Sequence, residues 1–314
     1  MLVTRNKIIQ ALLVCILPVS VAFSQLDNQS LYLLNTDSIP EKTIYFNVNS
    51  LVFFKNNEYF GPIADGYTLF GTQINPQLGF QLSPEIKLET GVFIRQDFGN
   101  DYFSSLAPTF TLKYQKKGFQ MLFGNINSSL NHNLLEPLYN FERIITNRLE
   151  NGAQFILNNQ FIDLDTWVDW QTMIYKYSNY KERIWGGLTT RVLKYQKNKF
   201  NFHIPIQFTA LHQGGQIDTA KGLSFTNISG SAGLATGINV DSKILQEINF
   251  NVHGLFKKSE SYTHQIFPRT GTGIMANVEV KAFKTDFMLS YWFGQHFNTD
   301  FGGYIYASEG TTVR

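Results

Sequence analysis

The stretch Phe200-Asn201-Phe202-His203-Ile204-Pro205-Ile206-Gln207-Phe208-Thr209 alternates residue by residue between apolar and polar. Successive side chains of a strand point to opposite faces. The stretch therefore has a greasy face of Phe200, Phe202, Ile204, Ile206 and Phe208. Its wet face carries Asn201, His203, Pro205, Gln207 and Thr209. The same period recurs from Thr43 to the end of the chain in about fourteen segments, each long enough to cross a bilayer as a strand.

Working outward, Leu69 to Leu82 puts Phe70, Thr72, Ile74, Leu78 and Phe80 on one side, and Pro76 within it predicts a bulge or local break. Ile86 to Phe98 sets Ile86, Leu88, Val92 and Ile94 against Lys87, Glu89, Gly91 and Arg95. The connections alternate in length. Tight turns fall at Ser83-Pro84-Glu85, Lys116-Lys117-Gly118, Asn158-Asn159-Gln160, Gln196-Lys197-Asn198, Asp241-Ser242-Lys243 and Phe283-Lys284-Thr285. Longer gaps follow Phe54, lie near Gly99, and span 128–146, 177–182, 214–222, 257–270 and 295–303. This rhythm predicts an all-β, transmembrane, antiparallel up-and-down β-barrel with short periplasmic turns and longer extracellular loops. The last strand is expected over Tyr304 to Val313.

Composition agrees. Aromatic residues make up 15% of the chain and charged residues 16%. The first suits ring girdles at two membrane interfaces, and the second is below the usual quarter. Mean hydropathy is −0.14, too polar for a bundle of membrane helices. The net charge of +2 gives no steering toward nucleic acid. Arg5 and Lys7, the apolar run Ile8 to Val21, and Ala22-Phe23-Ser24 read as a cleaved export signal over residues 1–24. A polar leader, 25–42, precedes the barrel, 43–314. The single cysteine, Cys15, falls in the signal, so the mature chain has no disulfide and no thiol chemistry.

The candidate functional residues are those that the pattern turns toward the lumen. Asp163, Asp165 and Asp169 share one face with Trp167, while Arg148 and Glu150 are placed on the preceding strand and Arg183 and Arg191 on the next. Together with Lys87, Glu89, Arg95 and His203 they form the expected pore lining. Acids facing bases read either as a transverse field across a constriction or as a salt-bridge lattice that stiffens the interior. Within the longest connection, Pro137 opens a run of Leu138, Phe141, Ile144 and Ile145 at helical spacing. That run predicts a short amphipathic helix, folded into the mouth or packed on the rim.

The six histidines, His132, His203, His212, His253, His264 and His296, make no i, i+4 pair and no H-E-x-x-H. No metal and no cofactor is expected. The chain also has no His-x-Ser and no Asp-His dipeptide, the local patterns of two kinds of barrel hydrolase. On these grounds the chain is read as a non-enzyme.

The block Glu136-Pro137-Leu138-Tyr139-Asn140-Phe141-Glu142-Arg143 through Asn147-Arg148-Leu149-Glu150-Asn151-Gly152, with the Leu82 to Leu88 hairpin and a signal ending before Gln25, resembles the porin-like outer-membrane barrels of Gram-negative Bacteroidota. The resemblance implies an outer-membrane location and a passive diffusion channel for small hydrophilic solutes, embedded in outer-membrane lipid. The alternative is a non-conducting barrel subunit of an export, assembly or surface-glycan complex, binding other outer-membrane proteins or further copies of itself through its loops. The chain closes on Thr311-Thr312-Val313-Arg314 rather than the terminal aromatic of such barrels, which points to truncation or an atypical last strand.

Overall fold

The structure is a computed structural model that describes residues 39–60, 65–240, 242–261, 269–283 and 285–308. The expected export signal and most of the leader lie outside these residues. Thirteen strands form one sheet in strict chain order, every neighbour antiparallel to the last. They are β1 (Thr43–Phe60), β2 (Asp65–Gln81), β3 (Ile86–Asp97), β4 (Ser105–Lys116), β5 (Phe119–Asn125), β6 (Asn151–Asn158), β7 (Asp163–Thr172), β8 (Arg183–Lys197), β9 (Phe200–Gln213), β10 (Phe225–Asn239), β11 (Leu245–Ser261), β12 (Thr270–Ala282) and β13 (Thr285–Gln295). This is the up-and-down barrel wall that the period-two pattern predicts. Among the described residues no ladder joins β13 back to β1.

Two expectations about the wall are corrected. There is no fourteenth strand over the described part of Tyr304 to Val313. Tyr304–Tyr306 instead forms a 3-10 turn, because Tyr306 turns inward and is buried. β1 also outruns its expected end at Phe54 and reaches Phe60, so only four residues separate it from β2. At Pro76 the sheet breaks without bulging. Val48 still faces Pro76 across β1, but on the β3 side the pairing skips from Ile74–Ile94 to Gln77–Gly91 with its register intact. The missing proline N–H removes ladder bonds on one side only.

The tight turns form for local reasons. Lys117 and Gly118 have φ of 45° and 80°, the pair of positive values that a two-residue hairpin turn needs to match the strand twist. The outer face of the wall is oily. Phe46, Val52 and Phe54 on β1 are 69%, 73% and 70% exposed, and Leu289 and Tyr291 on β13 present the same surface. Exposure on this scale is stable only against hydrocarbon.

The lumen is not uniformly wet. Residues 126–150, between the two shortest strands β5 and β6, fold inward. Their Leu134, Leu135, Leu138 and Tyr139 pack against Trp167 of β7, Trp185 of β8, Leu211 of β9, Leu255 of β11 and Met275 of β12. The chain after β13 adds Phe297, Phe301 and Tyr306 to this cluster. Backbone bonds tie this tail to the lumen segment: Asn140 N donates to Phe301 O at 2.6 Å and Gly303 N to Glu136 O at 2.8 Å. A dry core therefore sits inside the barrel at the long-connection end. The inward row is polar at one end of the strands and apolar at the other.

Gly187 makes room for this core. A Cβ there would lie 2.7 Å from the Trp167 ring and 2.6 Å from the Phe208 carbonyl oxygen. Gly187→Val is predicted to displace Trp167, strain the β8–β9 ladder at Phe208 and loosen the lumen segment. Trp185→Ala, which empties a fully buried site, should cost roughly 3–5 kcal/mol. Protease sensitivity confined to residues 126–150 and denaturant unfolding of the two variants would check this.

Candidate functional site

The lumen segment leaves β5, makes a 3-10 turn over Ser129–His132, and reverses at Asn133, whose φ of 54° is left-handed. Asparagine tolerates that conformation. β9 reads the reversal through one side chain. Gln207 Nε2 donates to Asn133 O at 2.8 Å, and its Oε1 accepts from Leu135 N at 2.9 Å.

The turn delivers His132 to a place without water. Its side chain is fully buried between two carboxylates, Nδ1 to Asp165 Oδ2 at 2.8 Å and Nε2 to Glu150 Oε2 at 2.9 Å. The ring stacks on Trp167 at 3.7 Å and 17°. Neither carboxylate has an idle oxygen. Tyr139 OH donates to Glu150 Oε1 at 2.5 Å, and Gln154 Nε2 to Asp165 Oδ1 at 2.9 Å. With carboxylates on both ring nitrogens, both must donate, and the ring is an imidazolium. Burial opposes the charge, but Glu150 and Asp165 outweigh it and hold the group up to about 9.

Beyond Tyr139 the segment rises to the rim. Its helix is a single turn, α1 (Arg143–Thr146), much shorter than the amphipathic helix expected from Pro137 onward. Wall side chains take its last carbonyls. Gln73 Nε2 donates to Ile145 O at 2.7 Å, and Arg95 Nη1 donates to Ile145 O at 2.8 Å and Thr146 O at 3.2 Å. Arg95 is held by a two-point pair with Asp97 at 2.7 and 2.9 Å. Just ahead of α1, Glu142 receives three donors: Lys55 Nζ, Tyr67 OH, and Asn57 Nδ2 at 3.0 Å. Lys55 also lies 4.1 Å above the Phe141 ring.

Below the core, toward the short-turn end, the lumen opens into a polar vestibule of about 1600 Å3. Asp163, Asp165, Arg191 and His203 line it. Asp163 is paired with Arg191 at 3.0 Å and Lys194 at 2.8 Å. Lys87, Glu89 and Arg148 line a smaller polar cavity of about 190 Å3 against β1–β5. Tyr45 OH donates to Glu89 at 2.8 Å, and Arg148 reaches Asn49 and Gln73. Among the described residues no group of three or more His, Cys, Asp or Glu side chains is arranged to hold a metal ion.

The expected acidic lining is corrected in two respects. Arg148 and Glu150 do not belong to a strand, since β6 begins at Asn151; they lie on the return of the lumen segment. Nor do the three aspartates make a free acidic row. Asp163 is ion-paired, Asp165 is occupied by His132 and Gln154, and Asp169 is 3% exposed and accepts from Asn151 N and Gln171 Nε2. Sequence reasoning did not single out His132, Tyr139, Glu142, Lys55 or Tyr67. Their partners lie between 11 and 87 residues away in sequence, and the segment that carries three of them has no strand period.

A protein-family model described as lipid A 3'-O-deacylase-type matches residues 34–313. No curated protein matches. Similar solved structures include OmpT, an outer membrane protein of Vibrio cholerae, with 9% identity over 82% of this chain and 89% of that one and a TM-score of 0.34. A triple-mutant porin of Rhodopseudomonas blastica shares 9% identity over 80% of this chain and all of its own, with a TM-score of 0.30. Likeness at that level assigns no function. The family match overturns the expectation of a non-enzyme, because deacylases are enzymes. The missing His-x-Ser and Asp-His patterns had spoken only against two other ways of building a barrel hydrolase.

Removing one carboxylate of the clamp strands the imidazolium. Glu150→Leu is predicted to lower unfolding stability by roughly 3–5 kcal/mol. Tyr139→Phe, which leaves the ion triad intact, should cost about 1 kcal/mol or a little more. Denaturant titration in detergent would check the ranking, which a clamp of no importance would reverse.

Proposed function

The chain belongs to the lipid A 3'-O-deacylase-type family, and on that premise we propose that it is an outer-membrane hydrolase that cleaves an O-acyl ester of a membrane lipid where the lumen segment meets β1 and β2. An acyl ester lies at the boundary between a lipid's hydrocarbon chains and its polar head. Chemistry on it calls for polar groups near a rim of the wall. The observation that carries the proposal is the convergence of Lys55, Asn57 and Tyr67 on the single carboxylate of Glu142 at that rim.

Each group has a role in ester hydrolysis. Glu142 takes a proton from water as the oxygen attacks the carbonyl carbon. The Lys55 ammonium and the Tyr67 hydroxyl stabilise the negative charge that develops on the carbonyl oxygen. Collapse of the tetrahedral adduct breaks the bond to the alcohol oxygen, which receives the proton held by Glu142. The products are a free fatty acid and a hydroxyl on the lipid. The export signal read at residues 1–24 and the oily outer band support delivery to the outer membrane. Passive diffusion of small hydrophilic solutes is the other reading of such a barrel. It needs a continuous wet path, and the packing of Leu135, Leu138, Trp167, Trp185, Met275 and Phe301 in the lumen speaks against one.

The test is acyl release from lipid A by the purified protein, followed by mass spectrometry. Wild type should release the 3'-linked chain. Glu142→Gln and Lys55→Met should each lower the rate roughly 100-fold or more while the barrel stays folded by circular dichroism. No release by wild type, or full activity in Glu142→Gln, would contradict the assignment.

A further inference from the structure

His132 is not at the rim and takes no part in the proposed hydrolysis, yet it is the most tightly held ionisable side chain of the lumen segment. It lies 0% exposed and touches charged or aromatic groups on every side. Glu150 faces it from the return of the segment, Asp165 and Trp167 from β7, and Trp185 from β8. Asp169 of β7 and Arg143 of α1 act on the same cluster at longer range, through Glu150 and Tyr139. The segment lies between the polar vestibule below and the rim above, and the imidazolium ties its turn to its own return through Glu150 and to the wall through Asp165.

We propose that His132 is a latch: held as an imidazolium between Glu150 and Asp165, it keeps residues 126–150 seated in the lumen, and its neutralisation frees the segment and connects the two ends of the barrel. The inference is independent of the hydrolase assignment. It stands on the geometry of one cation bridging two elements. A neutral imidazole carries one N–H, so one of the two carboxylates loses its donor and both lose their counter-charge. Glu150 and Asp165 would then lose the positive charge between them, with Glu150 and its neighbour Asp169 still buried. That arrangement is costly, and it is relieved by letting water in.

The sign of the pH effect follows from the raised value. The clamp's contribution is complete below the ordinary imidazole value of about 6.5 and is lost as pH climbs through about 9. Tyr139 does not confuse the reading. Burial and then the Glu150 charge push its phenol well above the ordinary range, so it remains a donor while His132 titrates.

The stack of His132 on Trp167 supplies a reporter, because a protonated imidazole quenches a stacked indole. The experiment uses the full chain in two formats, tryptophan emission in detergent micelles and single-channel current in planar bilayers with potassium chloride. Wild type should be closed at pH 7. Between pH 8 and 10 its emission should rise with a midpoint near 9, and reversible conductance should appear over the same interval. His132→Gln should lack the emission step and conduct already at pH 7. Three results would overturn the latch: conductance by wild type at pH 7, an emission step near pH 9 with no current at pH 10, or a folded His132→Gln that stays closed. Should His132→Gln fail to fold, the wild-type arm decides alone, since current either follows the emission midpoint or does not.

Discussion

A charge with no access to water has to be neutralised where it stands, and the interior of this barrel is organised around one such charge. His132 is out of reach of solvent, and Glu150 and Asp165 supply its counter-charge from the segment's return and from β7. Taking ions out of water costs several kcal/mol apiece, which the pair recovers only with good geometry and with every remaining lone pair satisfied. Tyr139 and Gln154 meet that second condition. Because the three ionic partners come from different parts of the chain, satisfying the charge also fixes the path of the segment. From that path follow the burial of Leu134, Leu135 and Leu138 and the position of Glu142 at the rim.

The wall was legible in the sequence because its code is local. A strand of period two between two immiscible environments writes its orientation into each pair of neighbours, as in Phe200 to Thr209. A hairpin turn such as Lys117-Gly118 needs only its own two residues. The same rule placed Asp163, Asp165 and Asp169 on the inward face together with Trp167. It could not say that the lumen around Trp167 is dry. That depends on Leu135, Leu138 and Phe301, which arrive from a connection and a tail with no period of their own.

The candidate chemistry was less legible for the same reason. Glu142 meets Lys55, Asn57 and Tyr67 across more than seventy residues of chain. Its neighbours in sequence suggested only a helix, and most of that helix is replaced by a path dictated by the wall. Gln73, Arg95 and Gln207 satisfy the segment's backbone with side chains, so the segment does not need regular secondary structure to bury its peptide groups. The inward polar row that looked like a pore lining is partly a docking surface for the barrel's own interior.

The ion triad therefore links the fold to the place of the candidate site. The same contacts that fill the lumen, and so argue against free diffusion, bring a carboxylate, an ammonium and a phenol together at the edge of the wall. The most direct test is nitrogen-15 NMR of the histidine side chains at pH 7, with the His132 signals assigned by their loss in His132→Gln. The account predicts that both ring nitrogens of His132 carry protons. A neutral ring, with one bare nitrogen, would contradict it.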